Sequence, residues 1–340
     1  MTHHEKLHAR GILRRGTPKS GFRYVGADGR RIGAGEIQRI ADLKIAPAWT
    51  DVAVNPSANG LIQAVGKDAA GRWQYLYHER HVKKQEQKKF ARIVKFAEAL
   101  PQMRRVVTRD LKLPGLGREK VLACILRILS SCYMRPGSQV YANENGSYGI
   151  STLRARHVRV KGDLVEFDFP GKSGVQQHRE LRDRRVARVV RELLKDRQSE
   201  VFKYLNGDGT FVDIRRRHIN DYIKEVMGTR FSAKDFRTWA GTLACASALA
   251  RSGVDVEDTK ATRKKKIVAA INEAATILGN TPAVCRSSYI CPAILENFEK
   301  GKVIRRHFPT PEHLLRERAH GLHQAEKALL SFLRRSTNGK

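Results

Sequence analysis

The chain has few of the residues that build disulfide frameworks or metal centres. Its five cysteines, Cys124, Cys132, Cys245, Cys285 and Cys291, are odd in number and contain no C-x-x-C pair. Such spacing supports neither a disulfide framework nor a zinc site, so they read as reduced thiols, mostly core, in a reducing compartment. The 12 histidines include no H-E-x-x-H and no other zinc spacing. No apolar run reaches the ~18 residues of a membrane helix, and the N-terminal MTHHEKLHARGILRRG lacks the apolar core of a signal peptide. These absences predict a soluble cytoplasmic protein with no membrane partner. The run RKKK at 263–266 reads as a charged helix start in preference to a nuclear address. Carboxylates are also sparse. Asp255, Glu257 and Asp258 form one tight acidic cluster, which reads as a solvated loop opening the next helix and not as a magnesium site. The GKS at 171–173 fails as a phosphate loop, because the pattern needs glycine where Glu166 stands and no helical pattern follows directly. No metal, nucleotide or other cofactor is expected.

What the chain has in excess is positive charge. Lys and Arg number 65 against 34 Asp and Glu, a formal charge of +31 in 340 residues that are still 41% hydrophobic. Residues 1–90 hold 17 Lys and Arg against 8 Asp and Glu, so basic character runs through both halves and is not confined to a tail. A field of this size repels itself and is best tolerated beside a polyanion, which makes double-stranded nucleic acid the first candidate partner. Two basic lobes facing one duplex, each neutralising phosphates by counterion release, use such a distribution most simply. Charge alone also allows a non-catalytic architectural DNA binder.

Length suggests about two domains. Residues 20–80 are rich in turn signals (Asp28-Gly29, Asn55-Pro56, Asn59-Gly60) between short runs such as LIQAVG and WQYLYH, a pattern of short strands joined by tight turns. From about residue 86, Phe90, Ile93, Val94, Phe96 and Ala97 recur at helical spacing until Pro101 is expected to interrupt. The boundary is therefore placed at residues 82–92, giving a β-rich domain over 1–88 and a mainly helical domain over 89–340. The larger part opens with a loop, LPGLG at 113–117, and then a helix carrying Val121, Leu122, Ile125, Leu126 and Leu129, followed by Arg135. HVRV at 157–160, LVEFDF at 164–169 and the turn PGKSG at 170–174 predict a small antiparallel sheet with Lys172 at a hairpin tip. Beyond it the chain reads as almost wholly helical, with Thr281-Pro282 as an N-cap and first helical position, and one or two amphipathic helices after about residue 310. The fold class is thus α+β: a small N-terminal antiparallel β-rich domain, and a larger mainly α-helical domain with a small three-stranded antiparallel sheet.

Basic and hydroxyl residues stand where these elements end. Arg135 follows a helix, Lys172 sits at a hairpin tip, Arg237 lies in AKDFRTWAGT at the head of an apolar helix, and Asn280 and Tyr289 flank TPAVCRSS. Each has a structural alternative: a helix C-cap, a turn residue, a surface ion pair, a left-handed helix end and an ordinary tyrosine.

Taken together, GRWQYLYH (71–78), EKVLACILRIL (119–129), MRPGSQVYANENGSYGISTLRARHV (134–158), PGKSG (170–174), AKDFRTWAGT (233–242) and LGNTPAVCRSSYI (278–290) closely resemble the type IB DNA topoisomerases, in particular their short bacterial and poxvirus branch. The resemblance implies that Tyr289 is the nucleophile and that Arg135, Lys172 and Arg237 are the cationic catalytic residues, with Lys172 the general acid and Arg135 a candidate relay. Asn280 stands where poxvirus and nuclear members have histidine. Bacterial members share the asparagine, which leaves no acid-base role there but keeps a hydrogen-bond donor for a phosphate oxygen. Gln74, Tyr75, Tyr77 and Lys234 are implied DNA contacts. Tyr75 and Tyr77 fall on one face of a strand, so their structural alternative is a shared core face. The implied activity is relaxation of supercoiled duplex DNA through a 3′-phosphotyrosyl intermediate, strand swivelling and religation, without ATP or metal, by a monomer that clamps the duplex. The alternative is a tyrosine recombinase or integrase with the same nucleophile. Those enzymes usually carry H-x-x-R where this chain has Lys234-Asp235-Phe236-Arg237, and that departure with GRWQYLYH favours the topoisomerase reading.

Overall fold

Alternating apolar segments divided by glycine-containing turns make antiparallel strands, and residues 12–77 make five of them. The structure, a computed structural model, describes residues 1–196, 200–316 and 321–338. It begins with helix α1 (His3–Arg10), strands β1 (Ile12–Thr17) and β2 (Gly21–Gly26), helix α2 (Ala34–Asp42), and strands β3 (Thr50–Val54), β4 (Ile62–Lys67) and β5 (Trp73–Tyr77). The sheet is antiparallel throughout, in the order β2-β1-β3-β4-β5. One face buries Ile12, Val52, Val54 and Ala64 with Ile40 of α2; the other buries Ala53, Ile62 and Val65 with Leu7 of α1. Helix α2 interrupts the expected succession of strands. It fully buries only Ile40, so it carries too little periodicity to announce itself.

The chain divides into two compact units, Met1–Lys89 and Phe90–Lys340. The second starts within helix α3 (Glu79–Asp110), which runs through Pro101 and corrects the expectation of a break there. Proline removes one helical N–H, but Phe96, Ala97, Leu100, Met103 and Val107 form one continuous buried stripe on both sides of it, and that burial outweighs the lost bond. Phe96 meets Phe231 and Phe236 edge-on, with ring centroids 5.6 and 4.9 Å apart.

Helix α4 (Arg118–Cys132) is followed by α5 (Gln139–Asn145) and by the three-stranded sheet β6 (Val158–Lys161), β7 (Leu164–Pro170) and β8 (Gln176–Arg182), antiparallel in sequence order. After α6 (Arg184–Leu193) comes a two-stranded hairpin, β9 (Lys203–Leu205) and β10 (Phe211–Asp213), in a stretch expected to be almost wholly helical. Its signal is the turn Asn206-Gly207-Asp208-Gly209, flanked by strands too short to show alternation. The remaining helices are α7 (Arg216–Met227), α8 (Ala233–Ser252), α9 (Lys260–Leu278), α10 (Pro282–Tyr289), α11 (Pro292–Glu299), α12 (Pro311–Arg316) and α13 (Gln324–Asn338). Helix α8 is the centre of the unit, buried over nearly its whole length. The tail helix α13 belongs to the same core. Its buried Glu326 accepts from Arg104 of α3 at 2.8 and 3.0 Å and from Trp239 Nε1 of α8 at 3.2 Å.

Candidate active site

Four helix ends and one strand supply the site. Helix α4 stops at Tyr133, which takes the left-handed C-cap conformation (φ 53°) usually left to glycine or asparagine. That turn frees the Tyr133 carbonyl and sends the chain on to Arg135. Ser232 and Asp235 close a capping box at the head of α8, with the Asp235 carboxylate accepting from Ser232 N–H at 2.9 Å and from Arg92 at 2.7 Å. One residue beyond Phe236, in the first turns of α8, stands Arg237. At the end of α9 it is Gly279, not Asn280, that takes the left-handed position (φ 59°). A Cβ there would lie 2.4 Å from Gln177 Oε1 and 2.8 Å from Arg179 Nη2 of β8, so glycine also permits the sheet's close approach. Asn280 follows, Thr281 caps α10 by accepting from Val284 N–H with Pro282 at the first position, and Tyr289 is the last residue of that helix.

Folding brings Arg135, Arg237, Asn280 and Tyr289 together. The Arg237 guanidinium is 4.9 Å from the centroid of the Tyr289 ring. Arg237 is buried, at 3% exposure, and donates to the carbonyls of Tyr133 and of Leu278, the latter at 2.9 Å. Arg135 donates to Asn280 Oδ1. Arg237 Nε and Asn280 Nδ2 are buried donors with no acceptor among the described residues. Burial pushes the Tyr289 phenol up, but Arg237, by its charge and its N–H donors, and then Arg135 and Lys234 outweigh it, leaving the phenol below the ordinary tyrosine value. Burial, then repulsion from Arg237, brings Arg135 down to about 10, against the opposing pull of Tyr289.

Lys234 is exposed, yet its charge reaches the phenol. Lys172 lies at the exposed tip between β7 and β8, and among the described residues no hydrogen bond or ion pair ties it to these four. The other expected contacts belong to the N-terminal unit. Gln74 is tied to Asp68 by a 2.8 Å hydrogen bond, and Tyr75 packs against the Ala53, Ile62 and Val65 cluster. Tyr77 is exposed, with its ring 5.4 Å from that of His81. In the acidic cluster, Asp255 and Asp258 share one cation, Lys266, at 3.0 and 2.8 Å.

Sequence reasoning missed Arg179. It donates to Gln177 Oε1 at 3.1 Å and to the His178 carbonyl at 3.3 Å, and its charge helps to depress Arg135. Nothing local distinguishes it, because its position depends on the pairing of β8 beneath Gly279. Among the described residues no carboxylate pairs with Arg135, Arg179 or Arg237. Three crowded guanidiniums with neutral partners make a site that an anion completes.

Two family models match the chain: the catalytic core of eukaryotic DNA topoisomerase I over residues 79–305, and the N-terminal domain of bacterial DNA topoisomerase IB over residues 21–68. DNA topoisomerase 1B of Acanthamoeba polyphaga mimivirus is 33% identical over 304 residues, covering 88% of this chain and 90% of the viral one. DNA topoisomerase 1B of vaccinia virus strain Copenhagen is 25% identical over 235 residues, 68% of this chain and 71% of its own. DNA topoisomerase 1 of Drosophila melanogaster is 29% identical over 173 residues, 48% of this chain and 16% of the fly protein. The chain belongs to the type IB DNA topoisomerase family and is an enzyme of that class.

Proposed function

We propose that this enzyme relaxes supercoiled duplex DNA by transient cleavage of one strand, with Tyr289 as nucleophile. An ordinary tyrosine has a pKa of about 10, so supplying its phenolate near neutrality costs about 4 kcal/mol. The observation that carries the reading is the Arg237 guanidinium set over the Tyr289 ring, with Arg135 close by, which lowers that cost. The phenolate oxygen attacks phosphorus as the bond to the 5′-oxygen breaks, forming a 3′-phosphotyrosyl ester. Arg135 and Arg237 neutralise charge growing on the non-bridging oxygens, and Asn280 Nδ2 donates to one of them. Lys172 supplies the proton that the departing 5′-oxygen takes up; an arginine, held charged, is a poorer donor. Its exposed tip comes to the scissile phosphate when DNA occupies the site.

The ester conserves the energy of the diester, so the free strand swivels and attacks back without ATP, and the protein's own cations stand in for a metal ion. The N-terminal unit acts as a DNA-clamping domain, with Tyr77 the freest of its candidate contacts, and Lys234 adds a phosphate contact beside the nucleophile. The test is plasmid relaxation in EDTA without ATP, with mass spectrometry of protein trapped on nicked DNA. Wild-type protein is expected to relax the plasmid and to carry the adduct on the peptide containing Tyr289, and Tyr289→Phe to do neither. An adduct surviving in that variant contradicts the assignment.

A further inference from the structure

The last carbonyl of one helix and the first N–H of the next have no partner inside their helices. Tyr289 lies at such a junction, between α10 and α11, and one buried hydroxyl serves both sides of it. Thr242 Oγ1 donates to the Tyr289 carbonyl at 3.1 Å and accepts from Cys291 N–H at 3.1 Å. Thr242 is completely buried in α8, five residues after Arg237. Its neighbour Gly241, four after Arg237 and therefore on the same helix face, provides the clearance. A Cβ at Gly241 would stand 2.9 Å from the Tyr289 carbonyl oxygen and 3.1 Å from Tyr289 Cβ. A single rigid helix thus bears both the cation over the phenol ring and the contacts that seat its backbone.

We infer that Thr242 is a positioning residue for the nucleophile: its hydroxyl fixes the backbone at Tyr289 so that the phenol rests in the field of Arg237 before any substrate arrives. The inference rests on the reading of Tyr289 as nucleophile. Two anchors define the side chain, the ring on Arg237 and the carbonyl on Thr242. Without the second, the carbonyl turns to find another donor and carries the phenol away from its cation.

The test compares Thr242→Val, which keeps the shape and removes the hydroxyl, with Thr242→Ser, which restores it. The readout is covalent adduct formation on a nicked suicide duplex at saturating protein, from neutral to alkaline pH, with DNA affinity measured in parallel. Thr242→Val is expected to form adduct about tenfold to a hundredfold more slowly, as small displacements of a reacting group do, while its DNA affinity stays within about twofold. Its alkaline break moves to higher pH, because a phenol freed from Arg237 regains its ordinary pKa, and Thr242→Ser returns rate and break toward wild type. Wild-type rate and break in Thr242→Val overturn the inference, as does an equal loss in both variants. Where Thr242→Val does not fold, Gly241→Ala, which keeps the hydroxyl but presses on the Tyr289 backbone, carries the test: slowing with an upward break is expected, and unchanged kinetics contradict. Tyr289→Phe runs beside them, and an adduct there strikes the parent reading instead.

Discussion

The floor of the site and the tip of the β7–β8 hairpin hold the same kind of charge in opposite ways. Arg237 is almost fully buried, forked onto two backbone carbonyls, and fixed in a helix that forms the centre of its unit. Lys172 is exposed and free of partners among the described residues, on a turn whose next two residues, Ser173 and Gly174, have positive φ. Under the proposed mechanism the difference matches the part each group plays. Charge that stabilises a transition state acts best when it is already in place, since no reorganisation is then paid during reaction. On the proposed role, a proton donor to a leaving oxygen has to engage an atom that arrives with the substrate, and an exposed tip leaves Lys172 open to it.

The sharpest way to break this contrast is Arg237→Gln, expected to slow adduct formation by about a thousandfold. Arg237→Lys recovers only part of that, because an ammonium cannot hold both carbonyls and the ring at once; full recovery in single-turnover cleavage would mean that charge alone suffices and the fork is incidental. Lys172→Ala is expected to slow cleavage about a hundredfold on ordinary DNA. It should recover on a duplex whose scissile 5′-oxygen is replaced by sulfur, a leaving atom that needs no proton. Equal slowing on both duplexes would place the acid elsewhere. A further pair concerns stability. Glu326→Ala strands the partly buried Arg104 and should cost about 3 kcal/mol in denaturant unfolding, whereas Ser173→Gly at the tip should shift it by less than about 1 kcal/mol. Comparable losses would remove the distinction between a built seat and an exposed tip.

Much of this was legible in residues whose roles are local. HVRV, LVEFDF and the turn PGKSG announced the small sheet, and Thr281-Pro282 announced α10. Pro101 misled because a local rule lost to a buried stripe that spans it. Helix α2 and the β9–β10 hairpin were too short to carry a period. Within the site, motif resemblance pointed to Arg135, Lys172, Arg237, Asn280 and Tyr289; folding gathers Arg135, Arg237, Asn280 and Tyr289 and leaves Lys172 at an exposed tip. Arg179 and Thr242 stayed hidden, since what distinguishes them is a partner about a hundred residues away for Arg179 and 47 for Thr242. The same holds for Glu326, whose contact with Arg104 closes a separation of 222 residues.

The central claim is that Arg237 and Arg135 lower the phenol's proton affinity in the free protein. It is tested most directly by titrating Tyr289 by NMR, with tyrosine labelled at the ring carbon that bears oxygen, in the absence of DNA. The account predicts a midpoint for Tyr289 below the ordinary tyrosine value of about 10, and a rise in Arg237→Gln. A midpoint at or above that value in the wild-type protein, unmoved by Arg237→Gln, would contradict it.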